Sequence, residues 1–128
     1  MAEREIKFRG FDAMGRKGWV YGDLVHNQKV TETGLEPRVM VGGYEVRKET
    51  VGQYTGMVDC VGRDVYEGDI IRLHIDGYEY KGAVEYNGYY GCFELHNGNK
   101  RSGLFLVTPA NIEIIGNIFD NQDLLNKR

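Results

Sequence analysis

Few side chains in this sequence are of the types that do chemistry: the acids Glu67 and Asp69, the cysteines Cys60 and Cys92, the histidines His26, His74 and His96, and a single serine, Ser102. Glu67-Gly68-Asp69 has the look of a carboxylate pair, but acid–base work needs two carboxylates converging on one substrate bond. Here a glycine separates them just ahead of the apolar Ile70-Ile71. The structural reading is preferred: Gly68 supplies a positive φ, and Asp69 accepts hydrogen bonds from nearby backbone N–H groups where the strand begins. None of the cysteines and histidines has the C-x₂₋₄-C or H-x₃₋₅-H spacing of a zinc site. His74 and His96 are expected on strands with the Tyr78–Tyr86 strand between them. Ser102 lies in Arg101-Ser102-Gly103, without the G-x-S-x-G elbow of a nucleophilic serine. The glycines are dispersed and never form a phosphate-cradling G-x-x-x-x-G-K-[ST] loop. No catalytic residue, metal ligand or cofactor site is therefore expected.

The tyrosines are the remaining feature of interest. Tyr78, Tyr80, Tyr86, Tyr89 and Tyr90 fall on neighbouring strands. Such side chains can stack on bases or anchor a protein partner, although core and cross-strand packing is the preferred reading. The net charge of −3 gives no basic footprint, and no run of Lys or Arg exceeds two residues, as in Arg47-Lys48 and Lys100-Arg101. Strong phosphate contacts are not expected. Nor is the chain acidic enough to imitate a nucleic acid.

The elements that must carry these residues are strands. Glycine is abundant, 18 of 128 residues, about twice the usual ~7%. Nine tyrosines against four alanines also favour short strands joined by turns. From Glu67 to Phe119 the pattern is clear. Ile71, Leu73 and Ile75 alternate up to Asp76-Gly77. Tyr78, Tyr80, Val84 and Tyr86 alternate up to Asn87-Gly88. A third run, Tyr89–Leu95, ends at Asn97-Gly98. Asp-Gly and Asn-Gly between alternating segments are strong hairpin signals. With Leu104–Val107 and Ile112–Phe119 they predict a β-meander of about five strands, suited to a small SH3-like or OB-like barrel. A short C-terminal helical turn is expected after Asp120, with Asp123 in it, Leu124-Leu125 packing, and Lys127-Arg128 suiting its C-terminal end.

In the first half, Glu5–Arg9 and Trp19–Val25 read as strands, and Gly42-Gly43 as a hairpin turn between Arg38–Val41 and Tyr44–Arg47. His26–Pro37 is polar and reads as a loop or linker. An internal echo is also present. Phe11-Asp12, Gly15-Arg16 and Val20-Tyr21-Gly22-Asp23-Leu24-Val25 resemble Val58-Asp59, Gly62-Arg63 and Val65-Tyr66-Glu67-Gly68-Asp69-Ile70-Ile71. The chain is thus a single domain over 1–128, or two similar sub-units of about 1–48 and 49–128. If the echo is real, Gly22-Asp23 and Gly68-Asp69 begin equivalent strands, with Tyr21 and Tyr66 packed just before them.

Three of these stretches resemble the YopX family, proteins encoded by phages and prophages. The first is Arg4-Glu5-Ile6-Lys7-Phe8-Arg9-Gly10-Phe11-Asp12 with Trp19-Val20-Tyr21-Gly22-Asp23-Leu24. The second is Glu49-Thr50-Val51-Gly52-Gln53-Tyr54-Thr55-Gly56 with Asp59, Gly62-Arg63 and Tyr66-Glu67-Gly68-Asp69-Ile70-Ile71. The third is Ile112-Glu113-Ile114-Ile115-Gly116-Asn117-Ile118-Phe119 with Asn121 and Leu124-Leu125. The chain departs from the family at Asp59-Cys60-Val61-Gly62, where a more polar, lysine- and asparagine-rich turn is usual. The resemblance implies an all-β fold and a phage or prophage origin; it implies no mechanism.

The residues together predict a non-catalytic binding module for a host or phage protein, with sheet edges and tyrosines as its contact surface. A nucleic-acid-associated small barrel is the alternative. Met1-Ala2-Glu3-Arg4-Glu5-Ile6-Lys7 contains no apolar leader, and no stretch approaches ~18 apolar residues. A cytoplasmic setting with free thiols at Cys60 and Cys92, no membrane partner, and self-association of the open-edged sheets are expected.

Overall fold

A computed structural model describes residues 5–98, 100–104 and 107–125. It is all-β, with strands in three antiparallel sheets and 3₁₀ turns as the helical elements among the described residues. The chain divides into two compact units, residues 1–54 and 55–128.

In the first unit, β1 (Phe8–Phe11) pairs with β2 (Trp19–Gly22), Phe8 opposite Gly22 and Phe11 opposite Trp19. A second sheet follows in chain order, β3 (Leu24–Thr31), β4 (Gly34–Val41) and β5 (Tyr44–Val46). Gly42 and Gly43, at φ 59° and 90°, turn β4 into β5 as the sequence predicts. A side chain at Gly42 would overlap the Tyr21 carbonyl, so the turn needs glycine for space as well as for its dihedral. Val20, Val41 and Val46 are buried, with Phe8, Leu24, Val39 and Val51 packed around them. A 3₁₀ turn, Lys48–Thr50, leads to β6 (Gly52–Val58), whose Gly52 and Gln53 pair with β1. The Thr50 hydroxyl accepts the Phe11 N–H at 2.8 Å.

The expected loop over His26–Pro37 is instead an unbroken hairpin: β3 and β4 pair at eight successive positions, from Leu24 opposite Val41 to Thr31 opposite Gly34. Its turn, Glu32-Thr33, lacks the Asn-Gly or Asp-Gly signal. It is held by the Thr31 hydroxyl donating to the Gly34 carbonyl at 2.9 Å. Pro37 is tolerated because β5 reaches only Val39–Val41, so at Pro37 the outer side of β4 needs no N–H.

The second unit contains the end of β6, β7 (Asp64–Tyr66), β8 (Asp69–Ile75), β9 (Tyr78–Asn87), β10 (Cys92–Asn97), β11 (Lys100–Gly103) and β12 (Ile112–Asn117). The last five form a half-barrel in the order β11-β10-β9-β8-β12. Its inner face buries Ile71, Leu73, Val84, Leu95 and Ile112, joined by Val65, Leu104 and Val107. Burial of this much branched aliphatic surface, at roughly 25 cal/mol per Å², dominates the stability of such a sheet.

Four strands form the predicted meander. The fifth, β12, crosses back to pair with β8, because the buried Ile71 and Leu73 need Ile112 and Ile114 beside them. Asp76-Gly77 turns with both residues at positive φ, 49° and 81°, as a type I′ signal requires. Asn87-Gly88 does not. The loop runs to Gly91 (φ 69°), and the Asn87 side chain accepts the N–H groups of Tyr89 and Tyr90. The fourth strand is Lys100–Gly103 rather than Leu104–Val107. Leu104 and Val107 are core residues, and residues 105 and 106 lie outside the described ones. The C-terminal turn is a 3₁₀ turn, Gln122–Leu125, while Lys127-Arg128 lie outside the described residues. Asn117 rather than Asp120 organises the chain before it, accepting the N–H groups of Phe119 and Asp120 at 2.9 Å.

The two halves of the sequence echo are built alike locally. Asp12 accepts the N–H groups of Met14 and Lys17, and Gly15 N–H bonds to the Asp12 carbonyl. Asp59 accepts those of Val61 and Arg63, and Gly62 N–H bonds to the Asp59 carbonyl. In each copy a strand, an Asp-closed turn, a second strand and a Gly-Asp step lead into a third strand. The tyrosines break the parallel: Tyr66 is buried, but Tyr21 is 55% exposed on the outer face of β2.

Candidate interaction site

The Glu67–Asp69 segment serves the backbone. Gly68 has φ 91°, its N–H bonds to the Val84 carbonyl, and its carbonyl accepts the Ile118 N–H. Asp69 is buried and accepts the Tyr66 N–H at 2.8 Å, closing the turn into β8. Glu67 sits in the same turn.

A buried acid that the sequence did not single out does more. Asp59 is 2% exposed. It accepts the backbone N–H groups of Val61, Arg63 and Ile114 and the Arg63 guanidinium, at 2.8–3.3 Å. Burial by itself would raise its pKa, but the bonds from the Arg63 backbone and guanidinium and from Ile114 and Val61 outweigh it and hold the carboxyl below 3.8. The Asp59–Arg63 loop thereby covers the outer edge of β12, with Cys60 N–H on the Ile112 carbonyl and Arg63 Nη2 on that of Ile114. An Asp-x-x-x-Arg pair before a short strand is the signal that could have found it.

The remaining candidates are scattered. His74 on β8 and His96 on β10 have β9 between them. His96 Nδ1 lies 3.2 Å from Glu85, and His74 4.0 Å from Glu113. Cys60 is exposed, Cys92 begins β10, and Ser102 lies on β11 opposite Leu95. His26 is on β3 in the first unit. Among the described residues no three His, Cys, Asp or Glu side chains gather closely enough to hold a metal ion.

The tyrosines depart most from expectation. Core and cross-strand packing is the preferred reading, and Tyr80 packs against the core while Tyr86 meets its cross-strand partner Phe93, yet Tyr78, Tyr86, Tyr89 and Tyr90 are 79%, 52%, 87% and 72% exposed. Tyr78, Tyr80 and Tyr86 share one face of β9 with the buried Val84; Tyr80 and Phe93 pack against the aliphatic core, while Tyr78 and Tyr86 stand towards the two ends of the strand and are exposed.

They form two groups, set apart by the length of β9. At one end of the strand, Tyr89 and Tyr90 meet edge to face with ring centroids 4.9 Å apart, and Tyr86 meets Phe93 the same way at 5.3 Å. The Asn87 carboxamide fixes this tip by accepting both tyrosine N–H groups while donating to Glu94 at 3.0 Å. Carboxylates of Glu85 and Glu94 stand on the adjoining strands, opposite one another in register. This is a preorganised, exposed aromatic surface with acidic neighbours.

At the other end, Tyr78 and Tyr80 line a shallow cleft of about 480 Å³ with Leu73, Ile75, Lys100 and Arg101. Burial raises the pKa of Tyr80, whose hydroxyl has no partner among the described residues.

A family model described as "YopX protein" matches residues 7–126 of the chain. Among solved structures, protein EF1440 from Enterococcus faecalis is similar, with a TM-score of 0.57 and 19% identity over 96% of this chain and 99% of that one. At that identity the likeness concerns the fold. No curated protein matches the sequence. Among the described residues no helix is long and apolar enough to cross a membrane.

Proposed function

Since the chain belongs to the YopX family, which it matches over residues 7–126, we propose that it is a phage- or prophage-encoded, non-catalytic binding module. It acts in the cytoplasm of the bacterial host, and its target is a host or phage protein. The observation that carries this reading is the tip of the β9–β10 hairpin, where Tyr86, Tyr89 and Tyr90 are each more than half exposed and locked by ring contacts and the Asn87 bonds. Rigid, amphipathic tyrosines lose little entropy on binding and are typical anchors of protein interfaces. Glu85 and Glu94, on the opposite face of the same strands, already lie near His96 and Arg101, so the rings rather than charge anchor the partner.

The nucleic-acid reading has one observation in its favour, the cleft where Tyr78 and Tyr80 stand near Lys100 and Arg101. Two cations make a short phosphate track, and Arg101 already lies 3.8 Å from Glu94. Protein recognition is therefore preferred. The test is affinity capture from a lysogenic host, run in parallel with the parent chain and a Tyr89→Ala/Tyr90→Ala variant. A protein retained by the parent, lost with the variant, and bound directly once purified supports the reading. Equal retention by both chains overturns it.

A further inference from the structure

The β3–β4 hairpin projects beyond its sheet. β5 covers only its base, at Val39–Val41, so residues 26–38 form a two-stranded ribbon, and β3 is the end strand of the sheet. Ribbons of two strands are marginal alone, and open edges are templates for further pairing. β3 lacks the usual guards. It has no proline, no bulge interrupts its eight pairs, and its single charge, Lys29, is turned onto Glu45 at 3.0 Å.

One face of the ribbon is apolar on β4 and at both ends of β3, with His26 and Gln28 between. Leu24 and Val41, His26 and Val39, Gln28 and Pro37, and Val30 and Leu35 are the opposed pairs on that face. At the base Val41 is fully buried in the core, whereas at the tip Val30 and Leu35 are 84% and 63% exposed. An open cleft of about 660 Å³ lies along this stretch, lined by Leu24, Pro37, Val39, Val46 and Val51 among others. The charges are divided as well. Glu32 stands in the turn at the tip and Lys48 lines the cleft beside Leu24 at the base, and neither forms an ion pair among the described residues.

We propose that two copies of this chain pair along their β3 edges, antiparallel about a two-fold axis near Asn27, so that two three-stranded sheets become one of six. Directly opposed residues in antiparallel strands share a face. With Asn27 opposite its own copy, Val30 of one chain lies opposite Leu24 of the other, and Gln28 opposite His26. Apolar Val30–Leu24 contacts then close both ends of the seam, with the polar Gln28–His26 pairs between them. The same arrangement carries the Glu32 turn of each copy towards the Leu24 end of the other, where Lys48 lines the cleft, so the two ends of the seam are complementary to each other, as an isologous interface must be. This interface lies in the first unit and is independent of the tyrosine surface.

Sedimentation of the full chain at tens of micromolar tests the idea. A dimer is expected for the parent. Val30→Asp/Leu35→Asp should be monomeric at an unchanged melting temperature, since both side chains are exposed at the tip. Glu32→Lys should weaken the dimer by about tenfold, and adding Lys48→Glu should restore part of that loss. A chain with Cys60→Ser and Cys92→Ser that carries Asn27→Cys should form a covalent dimer on oxidation. A monomeric parent, or a dimer that withstands the tip substitutions and does not cross-link through position 27, overturns the proposal.

Discussion

Arg63 meets Asp59 twice over, its backbone N–H on one carboxylate oxygen at 2.8 Å and its guanidinium Nε on the other at 2.9 Å. The same carboxylate receives the Ile114 N–H, so a single buried acid ties the 59–63 loop to β12. Asp59→Ala would leave these donors without an acceptor in a site that excludes water. We predict a loss of about 3 kcal/mol in unfolding free energy, measured by urea titration. A loss below half a kcal/mol would show that the loop is held by other means.

The same geometry sets a pH dependence. Asp59 and Asp12 both titrate below their ordinary value of 3.8, Asp59 because its hydrogen bonds outweigh burial, Asp12 through the N–H groups of Lys17 and Met14. A folded-state pKa below the unfolded one contributes stability that is complete above the unfolded value and is lost as pH falls through the folded value. Unfolding free energy should therefore decline as pH drops below 3.8. The gap between the parent and Asp59→Asn should close over the same range. A gap that stays constant down to the acid end would contradict the assignment.

Gly68 has φ 91° at the turn into β8. A β-branched side chain is strongly disfavoured there. Gly68→Val should cost about 2 kcal/mol and lower the melting temperature by several degrees. Calorimetry that gives the parent's melting temperature would remove this role for the glycine.

If the tyrosine tip is the contact surface, its substitution changes binding and leaves folding alone. Tyr89→Ala/Tyr90→Ala should weaken the captured partner's affinity by about 30-fold or more at an unchanged melting temperature. Titration calorimetry against the purified partner reads both the affinity and its loss.

Weak nucleic-acid binding is the last expectation. With a net charge of −3 and the cations spread in pairs, anisotropy titration at physiological salt should show no sub-micromolar affinity for single- or double-stranded DNA or RNA. Tight binding abolished by Lys100→Ala/Arg101→Ala would instead move the functional surface to the Tyr78–Tyr80 cleft.

Local information in the sequence determined the all-β class, most of the strands after Glu67, the turns at Gly42-Gly43 and Asp76-Gly77, and the backbone role of Gly68-Asp69. Each depends on alternation or on a φ that few residues adopt, and both are properties of neighbours in the chain. The echo between the Asp12 and Asp59 segments was legible in the residue types, although not the hydrogen bonds that close each turn. Tertiary structure alone decided the rest. The β3–β4 hairpin was missed because Glu32-Thr33 carries no turn signal and much of the ribbon is polar, so only its cross-strand pairing reveals it. β12 sits beside β8 rather than at the end of the meander, since pairing of distant strands follows which apolar face needs cover. The weight of Asp59 depends on Ile114, 55 residues away, whose N–H only the tertiary structure brings to its carboxylate. The exposure of Tyr78 and Tyr86 could not be read from alternation, because they share a face with the buried Val84, and only the tertiary structure shows that the packed part of that face stops short of them while Tyr80 reaches it.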